Sequence, residues 1–512
     1  MKKLVAILIA VFMLASTMCL AIGCRDGVET AGGVIEISID DQKTKNTGVD
    51  GYVRQRQEEF DQLYGDKIKV NHYPSVISNQ SNTLQALVNH LIAGDLAYTA
   101  LSVTAQNYAR SLYTMGFTED VSRYLTEEQL ASFDPAVLEA CKAGDALAGL
   151  PRSIEMPLLA INMRHLAVDS VQEKLFDAGL LEYDGTKQAF LGETANSRLN
   201  ICVAAVDTLT TWDRFAKFAG CLTGSYEVVA GGNVKNVSGF VPMMTDYYIG
   251  YGVWNIANGY EIMEQMDDGK IELDFTNQRT VETVEFLRSL YQPNSETGYT
   301  AITANPNLIP NSVFEMIRAN EAASFICYPS WSENYNLPSQ YLKLINLPIG
   351  PSMEEDRQRE ETDSSFHAQN TNVVFLINYV INKSASEEQK EAVMQYLLFV
   401  YGREACINRL EVAANNSVVS FEMPCYTLTE AEKRLAYENI PENWVSAIET
   451  AMENMYFVDC NSDAWVTMFS ERQADLMTNA AYSSQNTLIQ KLQDEEDRIR
   501  REWLNSYNAN FA

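Results

Sequence analysis

From residue 34 to residue 103 the chain alternates between two hydrophobic periods, and this alternation restricts the fold more than any other feature. Residues 34–39, Val-Ile-Glu-Ile-Ser-Ile, alternate as a strand does. Residues 52–64 then read as a helix offering Val53, Phe60, Leu63 and Tyr64 to one face, with Gly65 as its stop. A second strand is predicted over 68–73. The next helix carries Leu84, Leu87, Val88, Leu91 and Ile92 at i, i+3, i+4, i+7 and i+8, with Asn82 as cap and Gly94 as stop. A third strand is predicted over 97–103. Strand, helix and strand of these lengths form βαβ units, whose crossovers make the strands parallel. Open sheets of this kind bind ligands beyond the carboxyl ends of their strands. Asp40 and Asp41 after the first strand, and Gln106 and Asn107 after the third, are therefore candidate ligand contacts. Each also suits a cap or a solvated turn.

At 512 residues the chain exceeds what one hydrophobic core can organise, so at least two domains are expected. The first boundary is marked by Pro151 and Pro157, which bracket Arg152-Ser153-Ile154-Glu155-Met156 ahead of an apolar strand over 158–162. Glu155 in this crossing is a further candidate contact. A second α/β region follows to about Asn320, with a helix starting near Thr211 or Asp213 and another over 280–291. Strands are predicted over 321–328 and 342–348, and the polar stretch 353–365 as a surface loop. Residues 373–381 resume as strand, interrupted by Asn378. Ser386 and Gln389 then form a capping box before a helix bearing Val393, Tyr396, Leu397 and Val400. From about Pro424 onward the pattern is helical, and the charge run 493–501 reads as a solvated helix end.

The N-terminus has the layout of an export signal, with Lys2 and Lys3 before an uncharged stretch that ends at Ala21-Ile22-Gly23-Cys24. Net charge is −30, and two units more negative once the signal leaves, which excludes nucleic acid as a partner. Without the signal and Cys24, seven cysteines remain, an odd number with no C-x-x-C spacing. The four histidines, His72, His90, His165 and His367, show no metal-ligand spacing, and no metal or cofactor is expected. Neither a nucleophile elbow nor a phosphate-binding loop is present. A glycoside hydrolase would need two carboxyl groups set across a bond, a geometry no spacing here establishes, so the chain reads as a non-enzyme.

Four stretches together carry a resemblance. Gly149-Leu150-Pro151 followed by Leu159-Ala160-Ile161-Asn162 is similar to a "G-L-P … YN" crossing, and Thr211-Trp212-Asp213-Arg214-Phe215 to a "T-W-D/E-E-F/L" helix start. Asn320-Glu321-Ala322-Ala323-Ser324-Phe325, closing at Pro329-Ser330-Trp331, is similar to "G-x-A-A-M … G-x-W". Leu347-Pro348-Ile349-Gly350-Pro351 is similar to "L-P-x-G-P". In this order, behind a cysteine that resembles a lipobox, they look like the sugar-binding lipoproteins of bacterial ABC importers that resemble maltose-binding protein.

That resemblance implies an α/β fold of two doubly wound lobes with an interlobe cleft, the type II periplasmic-binding-protein arrangement, with extra C-terminal helices. It implies a signal peptide over 1–23, a tether over 24–33 with Cys24 as the diacylated (palmitate-bearing) residue, and lobe one over 34–152 with a return segment over 370–420. Lobe two would take 153–369, with a helical part over 421–512. A monomer on the outer face of the cytoplasmic membrane is implied, binding a small carbohydrate and meeting the transmembrane subunits of an ABC permease. A sensor subunit for a membrane receptor keeps the same fold. Sugars need flat aromatic platforms and hydrogen-bonding carboxylates or amides. Trp331 matches the family's cleft tryptophan, and Trp254 and Trp465 stand where further platforms are found.

Overall fold

The computed structural model describes residues 33–40, 48–73, 84–93, 98–104, 106–243, 247–266, 270–415, 423–458, 473–482 and 484–509. Among them run β1 (Ile35–Ile39), β2 (Ile68–His72), β3 (Ala100–Thr104), β4 (Leu150–Glu155), β5 (Leu158–Asn162), β6 (Met263–Gln265), β7 (Ile271–Leu273), β8 (Ser324–Cys327), β9 (Leu342–Ile345), β10 (Asn372–Ile381) and β11 (Met455–Phe457). The chain builds two α/β lobes.

Lobe one is a six-stranded sheet in the order β11-β10-β3-β1-β2, with β4 also paired to β10. β1 runs parallel to both β2 and β3, the pairing that βαβ crossovers demand. β10 returns antiparallel between β3 and β4. Its buried Asn378, an odd residue in an apolar strand, accepts the Cys141 thiol at 3.2 Å and so stays satisfied. The register slips between Ile377 and Asn378, opposite Pro151, whose missing N–H could not have continued the ladder. The helix Gly48–Tyr64 buries Val53 and Phe60 as the periodicity predicts, but Leu63 is 62% exposed. The face is carried instead by Tyr64, whose ring packs 4.9 Å from Phe60.

Lobe two is centred on the sheet β8-β5-β9, with both neighbours antiparallel to β5. All five residues of β5 are buried, which is why that run carries no polar alternation. Helix Trp212–Leu222 starts as expected, with the Thr211 hydroxyl accepting from the Arg214 N–H. Gly350 belongs here by necessity: a Cβ would come 2.8 Å from Trp212 and 2.3 Å from the Asn258 side chain.

Three expectations are corrected. The stretch predicted as a loop over 353–365 is the helix Pro351–Thr362, opened by Pro351 at its first turn. Its buried anchor is Met353, and the Arg279–Asp356 ion pair at 2.7 Å ties it to the helix Gln278–Ser289. The C-terminal region is not helical throughout, because β11 pairs in parallel with β10. The charge run is not a solvated end: Glu495 and Glu496 are 2% and 8% exposed. The six described cysteines, Cys141, Cys202, Cys221, Cys327, Cys406 and Cys425, are buried free thiols. No helix among the described residues is long and apolar enough to cross a membrane, and no His, Cys, Asp and Glu group there could hold a metal.

Candidate functional site

The carboxyl end of β3, the far end of β4 and the first half of β10 lie towards one end of the lobe-one sheet, while β1 stops about a strand-length short of it. The register places them in steps: Ile39 beside Ala100, Thr104 beside Ile377, and Phe375 beside Glu155. From that end the chain crosses at Met156-Pro157 into β5 of lobe two. There it meets the end of β8, where Tyr328-Pro329-Ser330 turns into the short helix Trp331–Asn334.

Across this junction Ser330 Oγ donates to Glu155 Oε1 at 3.1 Å, and the rings of Tyr328 and Phe375 lie 6.0 Å apart. Glu155, Tyr328 and Ser330 close against the apolar side chains of Met156, Met423 and Ile448 in a crevice too tight for a water molecule. The turn is rigid, since Trp331 N–H donates to Tyr328 O at 3.0 Å and Ser332 Oγ to Pro329 O at 2.9 Å. Trp331 is half-buried. The rings of Tyr328, Phe314 and Tyr335 stand nearly perpendicular to it at 4.9, 5.1 and 5.9 Å, an arrangement that fixes the indole.

Two of the sequence candidates, Glu155 and Trp331, are thus brought to one turn. Asp40 lies beside the middle of β3, away from that end of the sheet, 3% exposed, and its Oδ1 accepts the Ser102 N–H at 2.6 Å, linking β1 to β3. This is a strand-end cap. Gln106 and Asn107 open the helix Gln106–Thr114 directly after β3. Asp41, Trp465 and Cys24 lie outside the described residues.

Trp254 is placed elsewhere. It is fully buried inside lobe two, among Phe286 at 5.3 Å, Phe215 at 5.5 Å, Phe240 at 5.7 Å and Trp212 at 6.4 Å. A ring enclosed by four others presents no face to a solute, so here the packing role corrects the expectation of a platform. Tyr328 and Ser330 escaped the sequence reading, although the rule that selected Gln106, a polar residue just past a strand, applies equally to the end of β8.

No protein-family model matches the sequence, and no curated protein sequence does. Solved structures do match. The Thermus thermophilus maltotriose binding protein bound with maltotriose aligns with a TM-score of 0.54 at 13% identity, over 91% of this chain and 99% of its own. The maltose-maltodextrin binding protein of Alicyclobacillus acidocaldarius aligns at 0.56 and 11%, over 91% and 100%. An ABC substrate-binding protein from Listeria monocytogenes in complex with cycloalternan aligns at 0.57 and 13%, over 91% and 98%. Almost the whole length of each is matched at identities that speak for the fold alone, and the chain has the two-lobed architecture of the type II periplasmic binding proteins.

Proposed function

We propose that the chain is the extracytoplasmic solute-binding component of an ABC import system, taking a mono- or oligosaccharide into the cleft between its lobes. The observation that carries this reading is the junction itself: a carboxylate, Glu155, and a rigidly held, part-exposed tryptophan, Trp331, on opposite lobes and joined through Ser330. A sugar ring has an apolar C–H face for an indole and a rim of hydroxyls for a carboxylate. Solved proteins of this fold hold maltotriose and cycloalternan, which favours an oligosaccharide.

In this reading the solute settles on one lobe, and contacts to the other, made only when the lobes approach, shift the equilibrium toward closure. Gln106 and Asn107 beyond β3, with Asp41 and Trp465, supply the remaining polar and aromatic contacts. The closed form meets the permease, and acylation at Cys24 holds the protein on the outer face of the cytoplasmic membrane.

Calorimetric titration of the mature chain with glucose, maltose, maltotriose, maltotetraose and a wider oligosaccharide panel tests the proposal. At least one sugar should bind at micromolar affinity or better, with a reduced radius of gyration in solution scattering. A folded protein that binds none of them, or that binds one without compaction, would sink it.

A further inference from the structure

The C-terminal helical run is fastened to both lobes. The α-helix Gln485–Ile499 continues through a π-helical turn, Arg500–Leu504, into Asn505–Asn508. β7 pairs with β6 through one edge, leaving the N–H and C=O groups of Ile271, Leu273 and Phe275 on the other. Side chains of the helical run satisfy that edge. Glu496 Oε2 accepts the Phe275 N–H at 2.9 Å, Arg500 donates to Leu273 O, and Asn508 both accepts from Ile271 N–H and donates to Ile271 O at 2.9 Å. One helix face thus stands in for an absent strand, which accounts for the burial of Glu496. The wider π turn keeps Asn508 on the face that carries Glu496 and Arg500.

Tyr507, beside Asn508, turns to the other lobe. Its hydroxyl lies 3.0 Å from Ser111 Oγ on helix Gln106–Thr114, with Ser111 fully buried and Tyr507 7% exposed. Trp503, one turn back, stacks on the Tyr507 ring at 4.8 Å and sets its direction. The helix it reaches is the one that starts directly after β3, on the rim that faces the cleft.

We propose that this run is an interlobe latch: an arm clamped to β7 of lobe two whose Tyr507 hydroxyl bonds Ser111 of lobe one and favours the form with the lobes together. The inference rests on the hinge-closing reading above, because the Tyr507–Ser111 bond must break if the lobes part. A net contribution near that of an ordinary buried hydrogen bond is about fivefold in an equilibrium constant.

The test uses the full mature chain carrying Tyr507→Phe, which keeps the ring and removes the hydroxyl, and Asn508→Ala, which frees the arm from β7. Without solute, both variants should show a larger radius of gyration by solution scattering than the parent, and faster amide exchange over Gln106–Thr114. Tyr507→Phe should also bind the tightest sugar of the panel about fivefold more weakly, through faster dissociation. Parental dimensions and exchange in both variants would overturn the latch, as would opening in Tyr507→Phe without opening in Asn508→Ala. The scattering and exchange need no solute, so a panel without a binder would sink the transport reading and leave the latch standing.

Discussion

Trp254 and Trp331 are the same residue type in opposite circumstances. Trp254 is enclosed by Trp212, Phe215, Phe240 and Phe286 and has no exposed surface. Trp331 is braced by the near-perpendicular rings of Tyr328, Phe314 and Tyr335 and stays part-exposed beside the interlobe crossing. Both follow sequence signals of the same kind, an aromatic just before or within a short helix. What separates them is the number of rings that fold back over them from distant elements. A core tryptophan gives its surface to stability; a braced one keeps part of its surface for binding at some cost in burial.

The largest effect should come from removing the enclosed ring. Trp254→Ala leaves a cavity that four neighbouring rings cannot collapse into, and should cost about 3–5 kcal/mol in urea unfolding while leaving sugar affinity per folded molecule unchanged. A variant with normal stability and lost affinity would reverse the two assignments.

The same lobe supplies a pH dependence. His165 is fully buried, with Nδ1 3.1 Å from the Tyr226 hydroxyl, and burial, with Arg164 close by, depresses its pKa to about 3 despite a backbone hydrogen bond to Ala322. Between pH 6.5 and about 3 the unfolded chain binds a proton that the native state does not. Stability therefore falls on acidification through this window, by up to about 1.4 kcal/mol for each pH unit. Denaturation midpoints measured from pH 7 to pH 4 should show this slope in the parent and a shallower one in His165→Phe. An unchanged slope would mean that other groups carry the acid sensitivity.

The braced ring should behave in the other way. Trp331→Ala should weaken binding of the tightest sugar by about 1–3 kcal/mol in titration calorimetry, with a change in unfolding free energy smaller than that of Trp254→Ala. Equal affinity in parent and variant would take Trp331 out of the site.

How far these differences were legible in the sequence depends on the distance over which their causes act. The βαβ order of lobe one, the Thr211 cap and the Ser386–Gln389 capping box are set by neighbours within a few residues, and they stand in the structure as read. The helix Pro351–Thr362 was hidden because it has almost no apolar stripe: Met353 alone is buried, and the rest is held by ion pairs such as Arg279–Asp356, which leave no hydrophobic period. The buried Glu496 was hidden for a different reason. Its partner, Phe275 N–H, lies 221 positions away along the chain, and nothing local distinguishes a carboxylate that completes a strand edge from one in water. Trp254 belongs with Glu496, since the rings around it come from positions 212 to 286. At the site, Trp331 and Glu155 were readable as members of local motifs, whereas their joining through Ser330 is a product of the tertiary fold.

The smallest effect is expected at Glu155, and it bears on whether the braced tryptophan acts alone. Glu155→Gln keeps an oxygen to accept from Ser330 Oγ, so the turn should hold and the unfolding midpoint should stay within error of the parent. What disappears is the charge. A hydroxyl bonded to a carboxylate is held more strongly than one bonded to an amide, by about 1 kcal/mol, so sugar affinity should fall about fivefold. In the double variant with Trp331→Ala the two losses should exceed or fall short of their sum, because both groups touch one solute and are linked through a single rigid turn. Strict additivity would separate them, leaving Glu155 as a structural tie across the lobes and the indole as the sole anchor at this end of the cleft.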